Sequence, residues 1–306
     1  MSRYRLCSLF FLLCLGSCDS DSGMNADIGL DASSSTCPDC PPECTADTSN
    51  LIYVLGDQYS LSTFDPTIAA AGGDPFTSLG GIRCDDVGSP LQGLSASWAY
   101  SMASDRYGYL WIYFTSGEIF KVDVKTLNCT KTEASLDKLA LMAFGGADRS
   151  NESLFMSLNP PDSMSPAVYA EVNPTTFEIG SPHELALTGS LPILSGSSDG
   201  QMLGFRPLAG TTGVVESLNI ATGGTIQSWQ IADHGRSSMY FWTAAFWGGK
   251  HYIFSTSENA FGNRTSRIGV FDPTKPEGER LSYLDADVVK EISLASASTC
   301  APLSAP

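Results

Sequence analysis

Asp105, Asp148 and Asp199 recur at one point of a repeated pattern, each following a run of small and apolar residues. The runs are Ser101-Met-Ala-Ser104, Met142-Ala-Phe-Gly145 and Leu194-Ser-Gly-Ser197. Carboxylates that converge have two chemical uses. Their oxygens can ligate Ca²⁺, the one cofactor the sequence suggests. They can also act as the acid, base and orienting groups of glycoside hydrolysis. A local reading competes and is preferred. Each Asp caps its own turn, which Gly108 or Gly200 completes. Two further copies of the pattern carry no matching Asp, and no recurring Glu partners the three.

Other reactive residue types are less organised. His183, His234 and His251 fit no metal-binding spacing. Gly196-Ser197-Ser198-Asp199-Gly200 matches the G-x-S-x-G pattern. A nucleophile there needs a strand, a sharp turn and a helix, whereas the repeat predicts a strand–turn–strand hairpin. Tyr240, Trp242 and Trp247 are binding candidates, flanked by Phe241 and Phe246. Aromatic faces can stack a sugar or a peptide, but burial in a core is the stronger reading.

The elements that must position these residues come from a repeat. One phrase, two apolar positions and then Asx, often Pro, then Thr, occurs five times, with its Asx at Asp65, Asp123, Asn173, Asn219 and Asp272. Alternating apolar residues make a half-buried strand. The Asx side chain then folds onto the backbone two residues on. A second strand lies upstream of each copy: Leu51–Val54, Leu110–Tyr113, Leu154–Ser157, Met202–Phe205 and Tyr252–Ser255. The small-residue run before it is a third strand, including Ala244–Trp247 in the last copy. Only the first copy lacks this run, and Leu294–Cys300 supplies it from the far end of the chain. The expectation is an all-β, five-bladed β-propeller closed by the C-terminal strand. A curved β-sandwich is the alternative. Closure of a ring removes exposed sheet edges.

Residues 1–17 read as a signal peptide: Arg3 and Arg5, an apolar stretch from Leu6 to Leu15, then Gly16 and Ser17. The stretch is too short to span a bilayer. Cys18 directly after Leu-Gly-Ser resembles a bacterial lipobox, in which the cysteine is acylated and becomes the first mature residue. Residues 18–49 are then the lipidated cysteine and an acidic linker rich in Ser and Pro, without a basic or aromatic residue. Residues 50–306 form the propeller-like domain. Acyl chains provide the membrane anchor. The net charge of −16 excludes a basic face for nucleic acid.

Cys7 and Cys14 fall in the signal peptide, leaving Cys37, Cys40, Cys44, Cys84, Cys129 and Cys300 as disulfide candidates. The preferred pairs are Cys84 with Cys129, and Cys300 with one of the linker cysteines. Prolines and an oxidising compartment favour disulfides over a metal at Cys37, Cys40 and Cys44.

The whole pattern resembles uncharacterised five-repeat β-propeller-like lipoproteins of the myxobacterial type, over about residues 50–302. Its most specific pieces are Ala245-Phe-Trp-Gly-Gly-Lys-His-Tyr252 and Ser298-Thr-Cys-Ala-Pro302. The resemblance implies fold and location and no activity. The expected function is therefore that of an extracytoplasmic membrane lipoprotein, at the outer membrane or cell surface, whose propeller binds a protein or a glycan without catalysis. A propeller glycoside hydrolase and a structural envelope component are the alternatives.

Overall fold

A computed structural model of the chain describes residues 51–84, 97–137, 139–147, 151–158, 166–188, 191–208, 212–231, 239–284 and 291–304. The signal peptide, Cys18 and the linker cysteines Cys37, Cys40 and Cys44 lie outside the described residues, as does Asp148.

The described strands form five antiparallel blades. Blade 1 joins β21 (Leu294–Ala297) to β1 (Ile52–Leu55), β2 (Ser60–Phe64) and β3 (Phe76–Gly81), in that order. Blade 2 runs β5 (Ala99–Ser104), β6 (Tyr109–Phe114), β7 (Glu118–Asp123) and β8 (Asn128–Ser135), with the short β4 (Arg83–Cys84) added parallel to β8. Blade 3 contains β9 (Ala140–Gly145), β10 (Ser153–Leu158), β11 (Pro166–Val172) and β12 (His183–Thr188). Blade 4 contains β13 (Ile193–Gly196), β14 (Gln201–Pro207), β15 (Gly213–Asn219) and β16 (Thr225–Ile231). Blade 5 contains β17 (Met239–Trp247), β18 (Lys250–Glu258), β19 (Arg264–Phe271) and β20 (Leu281–Tyr283). The protein is a five-bladed β-propeller, and the C-terminal strand β21 completes its first blade.

The repeated phrase does what its chemistry dictates. In each blade it ends the third strand and starts the turn to the fourth. Asp65 Oδ1 accepts the N–H of Thr67 at 2.8 Å and of Ile68 at 3.2 Å. Asp123, Asn173 and Asn219 accept the N–H groups two and three residues on in the same way. Asp272 accepts the N–H of Thr274 at 3.0 Å. In blade 1 the turn extends into one helical turn, Pro66–Ala70, which Asp65 caps, whereas Asn173-Pro174 and Asp272-Pro273 open non-helical turns.

Each blade has two apolar faces, so the core is divided among the five interfaces between neighbours. Leu55 and Leu61 of blade 1 meet Leu110, Ile112, Phe114 and Phe120 of blade 2. Trp111 and Tyr113 meet Met142, Phe144 and Met156 across the next interface. Phe155 and Tyr169 meet Met202 and Leu218. Phe205 and Val215 meet Ile253 and Phe271. Phe254 and Ile268 return to Ile52, Val54 and Phe64 of blade 1. Each fully buried Leu, Ile or Phe contributes about 1.5–3 kcal/mol, so the interfaces, not the sheets alone, hold the ring.

Hydroxyls stitch the inner strands together. Ser101 Oγ accepts the N–H of Met142, Ser195 Oγ that of Phe246, and Thr243 Oγ1 that of Ala295, at 2.7–2.8 Å. Blades 3 and 4 approach too closely for a side chain. A Cβ on Gly196 would lie 2.0 Å from the Phe144 carbonyl oxygen. Cys84 and Cys129 form a disulfide and occupy partnered positions of β4 and β8. Cys300 is also disulfide-bonded. Cys84 and Cys129 take each other, so the partner of Cys300 lies outside the described residues.

Candidate functional site: two mouths of one channel

The five inner strands, β21, β5, β9, β13 and β17, run the same way around a central axis. Their first residues gather at one mouth and the turns after their last residues at the other. The two mouths differ in chemistry.

The downstream mouth is polar. Asp105 leaves β5 into the turn to β6. Its Oδ1 accepts the N–H groups of Tyr107 at 3.0 Å and Tyr109 at 2.9 Å, and its Oδ2 accepts the indole N–H of Trp111 at 3.0 Å. Both oxygens are engaged by the turn that Asp105 itself opens. Asp199 is exposed in the hairpin between β13 and β14, where the Ser197 hydroxyl donates to it. The G-x-S-x-G segment is thus a strand–turn–strand hairpin with Gly200 at φ +84°. Asp105 and Asp199 are each tied to their own turn. Among the described residues, no three His, Cys, Asp or Glu side chains gather closely enough to hold a metal.

Glu152 occupies this mouth, although the sequence pattern did not single it out. One of its oxygens accepts the backbone N–H of Arg106 at 3.1 Å. The other accepts the Thr299 hydroxyl and lies 3.7 Å from Arg106 Nε. Both charged side chains are almost fully buried. Burial pushes the Glu152 carboxyl above the usual range, and the nearby Asp105 adds to the rise. The bonds from Thr299 and Arg106 and the Arg106 charge pull the other way without cancelling it. The available signal was length. Seven residues separate β9 from β10, against four between β5 and β6 or β13 and β14. The longer turn lets a side chain of blade 3 reach two other blades.

His251, near the same end, has no solvent exposure, and among the described residues neither ring nitrogen has a hydrogen-bond partner. It pairs across strands with Phe246 and Phe271. Desolvation holds its pKa down at about 3, so the ring is neutral. Trp247 is only 2% exposed and packs against Tyr252, so it belongs to the core between blades 5 and 1.

The upstream mouth is apolar and aromatic. Tyr100, Leu141, Ile193, Trp242 and Leu294, one from each inner strand, line a cavity of about 20 Å³. That is the room of a single water. Trp242 is half-buried and packs on Phe205 at 5.6 Å. Tyr240 belongs to β17, but its side chain lies outside the described residues. Trp98, immediately before β5, is 59% exposed. Its backbone is fixed: Trp98 N–H donates to Thr115 Oγ1 at 3.2 Å, and its carbonyl accepts from Thr115 N–H at 3.0 Å. Phe261, at the tip of the β18–β19 hairpin, is 89% exposed. Asn259 Oδ1 holds that tip by accepting the N–H groups of Phe261 at 2.9 Å and Asn263 at 3.0 Å. Arg264 braces the hairpin through Glu258 at 2.7 Å and Glu291 at 2.9 Å, with its guanidinium over the Phe241 ring.

No family model and no curated protein matches the chain. Several solved structures are distantly similar to it. Kuenenia stuttgartiensis hydrazine synthase is similar over 81% of this chain and 69% of its own, at 9% identity and a TM-score of 0.40. Bacteroides ovatus xyloglucan PUL GH43B matches 62% of this chain and 42% of its own length, at 12% identity and a TM-score of 0.47. A GH43 endo-arabinanase from Bacillus licheniformis matches 63% of this chain and 78% of its own, at 11% identity and a TM-score of 0.40. Likenesses this distant carry no argument about activity. The fold assignment rests on the strand order and ring closure described above.

Proposed function

We propose that this chain is an extracytoplasmic lipoprotein, anchored to a bacterial membrane through Cys18, whose propeller binds a glycan or a protein at the upstream mouth without catalysis. The observation that carries the binding reading is the contrast between the mouths. Downstream, Asp105 and Glu152 are consumed by turns and blade contacts. Upstream, Trp98 and Phe261 are held out to solvent on backbones that are already ordered. A preorganised aromatic loses little entropy when a ligand stacks on it. The central cavity is too small to take a sugar ring, so the ligand lies across the rim. A hydrolase would need two uncommitted carboxylates about 5–10 Å apart. Asp105 does not supply one.

The anchor reading rests on the lipobox-like segment of the sequence. Its test is fractionation: Cys18→Ala releases the chain from membranes, and retention of the variant would overturn the anchor. The binding reading is tested by thermal melts of the full chain with neutral oligosaccharides and with peptides. A ligand at 100 times its Kd stabilises by about 2.7 kcal/mol. Trp98→Ala removes the shift, while Tyr107→Ala leaves it intact, since Tyr107 is 62% exposed at the other mouth. Equal loss with both variants, or turnover of a saccharide that Asp105→Ala abolishes, would overturn it.

A further inference from the structure

The downstream mouth joins three blades through one side chain. Glu152 extends from blade 3, Arg106 belongs to the β5–β6 turn of blade 2, and Thr299 follows β21 in blade 1. We propose that Glu152 is the keystone of the ring, clasping the segment behind the closing strand to blade 2.

The chemistry of the contact supports this. A buried carboxylate is tolerated only when donors meet it. Here one oxygen takes a backbone N–H and the other a hydroxyl, with a guanidinium alongside. The N–H belongs to Arg106, next to Asp105, whose own oxygens fix the turn that presents it. The hydroxyl belongs to Thr299, only two residues beyond β21. Backbone bonds tie the same segment down elsewhere. Gly248 N–H donates to the Pro302 carbonyl at 2.7 Å, and Cys300 N–H donates to Ser298 Oγ at 3.1 Å. Those contacts reach only blade 5 and the segment itself. Glu152 adds blades 2 and 3. The inference does not depend on any ligand: it concerns how the ring stays closed.

Hydrogen exchange on the full chain, with disulfides intact, tests it. Glu152→Ala is expected to speed exchange of residues 294–301 about tenfold or more, because buried donors lose their acceptor. The β18–β19 hairpin, at the opposite end of the blades, keeps its wild-type rate. Thr299→Ala gives a smaller acceleration confined to the same segment. Glu152→Gln keeps an acceptor for Arg106 N–H and offers an amide N–H to Thr299 Oγ, so it restores most of the protection. Unchanged protection of 294–301 in Glu152→Ala or Thr299→Ala overturns the keystone. Uniform loosening of all five blades, with Glu152→Gln no better than Glu152→Ala, overturns it as well. If Glu152→Ala does not fold, Thr299→Ala and Glu152→Gln decide alone.

Discussion

The two ends of the channel are built from the same five strands, yet one buries a charged cluster shared by three blades and the other holds two large rings out to solvent. Downstream, polar groups are buried and spent on each other: Asp105 on its turn, Glu152 on Arg106 and Thr299. Upstream, hydroxyls and amides spend their hydrogen bonds on backbone, and the rings they support stay wet. A polar residue at a propeller mouth is therefore poor evidence of chemistry until its partners are known. A single exposed ring on a fixed backbone does not decide the matter either, since Tyr107 is 62% exposed downstream on a backbone that Asp105 holds; what sets the upstream end apart is that Trp98 and Phe261 stand out there above an apolar lining.

This contrast predicts that substitutions at the downstream end cost stability and those at the upstream end cost binding. The largest effect is expected for Gly196→Ala. Its Cβ would meet the Phe144 carbonyl at 2.0 Å and Gly145 Cα at 2.7 Å, both backbone atoms of β9 rather than the end of a flexible side chain. A loss of about 3 kcal/mol or more, and of about 6–12 °C in Tm, should follow. A wild-type melt would show that the inner strands can part at that end.

The next effect depends on pH. His251 is neutral when folded, with its pKa lowered from 6.5 to about 3. The unfolded chain takes up a proton below pH 6.5 that the folded chain refuses, so this residue's stabilisation is full above that pH and is lost on acidification. By about pH 4.5 the loss is about 3 kcal/mol. His251→Phe should narrow the gap between neutral and acid melts by that amount. An unchanged gap would mean that the ring nitrogens find partners on protonation.

Asp105→Ala comes third. It strands two backbone N–H groups and the Trp111 indole N–H, for about 2–3 kcal/mol by denaturant titration. Trp98→Ala comes last on this scale, within about 0.5 kcal/mol of wild type. Its effect should appear in ligand binding alone. A large stability loss there would erase the distinction between the mouths.

Much of this architecture was legible in the residues. Asp65, Asp123, Asn173, Asn219 and Asp272 announced their turns because an Asx cap is local chemistry, set by neighbours two and three positions away. The closing strand was readable because Leu294–Ala297 repeats the small-residue character of the other inner strands. The Cys84–Cys129 bridge follows from the same repeat. Glu152 was not legible. Its partners lie in the turn after β5 and beyond β21, and no local pattern encodes contacts that only ring closure creates. The exposed rings were not legible either. Trp247 is the last residue of its inner strand, and it packs on Tyr252 in the core between blades 5 and 1, as the stronger reading had it. Trp98 precedes its strand in a stretch without a repeat, so periodicity was silent about it.

Ring closure also sets a clock. The Ser293 hydroxyl bonds the Leu55 carbonyl across 238 residues of sequence, and β1 pairs with β21 from Ile52–Ala297 to Leu55–Leu294. At about 5–20 residues per second, β1 waits roughly 10–50 s after it is made before its partner strand exists. During that interval the inner edge of blade 1 offers free N–H and C=O groups to any passing strand. Blade 1 is thus first to be made and last to be finished, and the vulnerable moment of this molecule falls at the end of its synthesis.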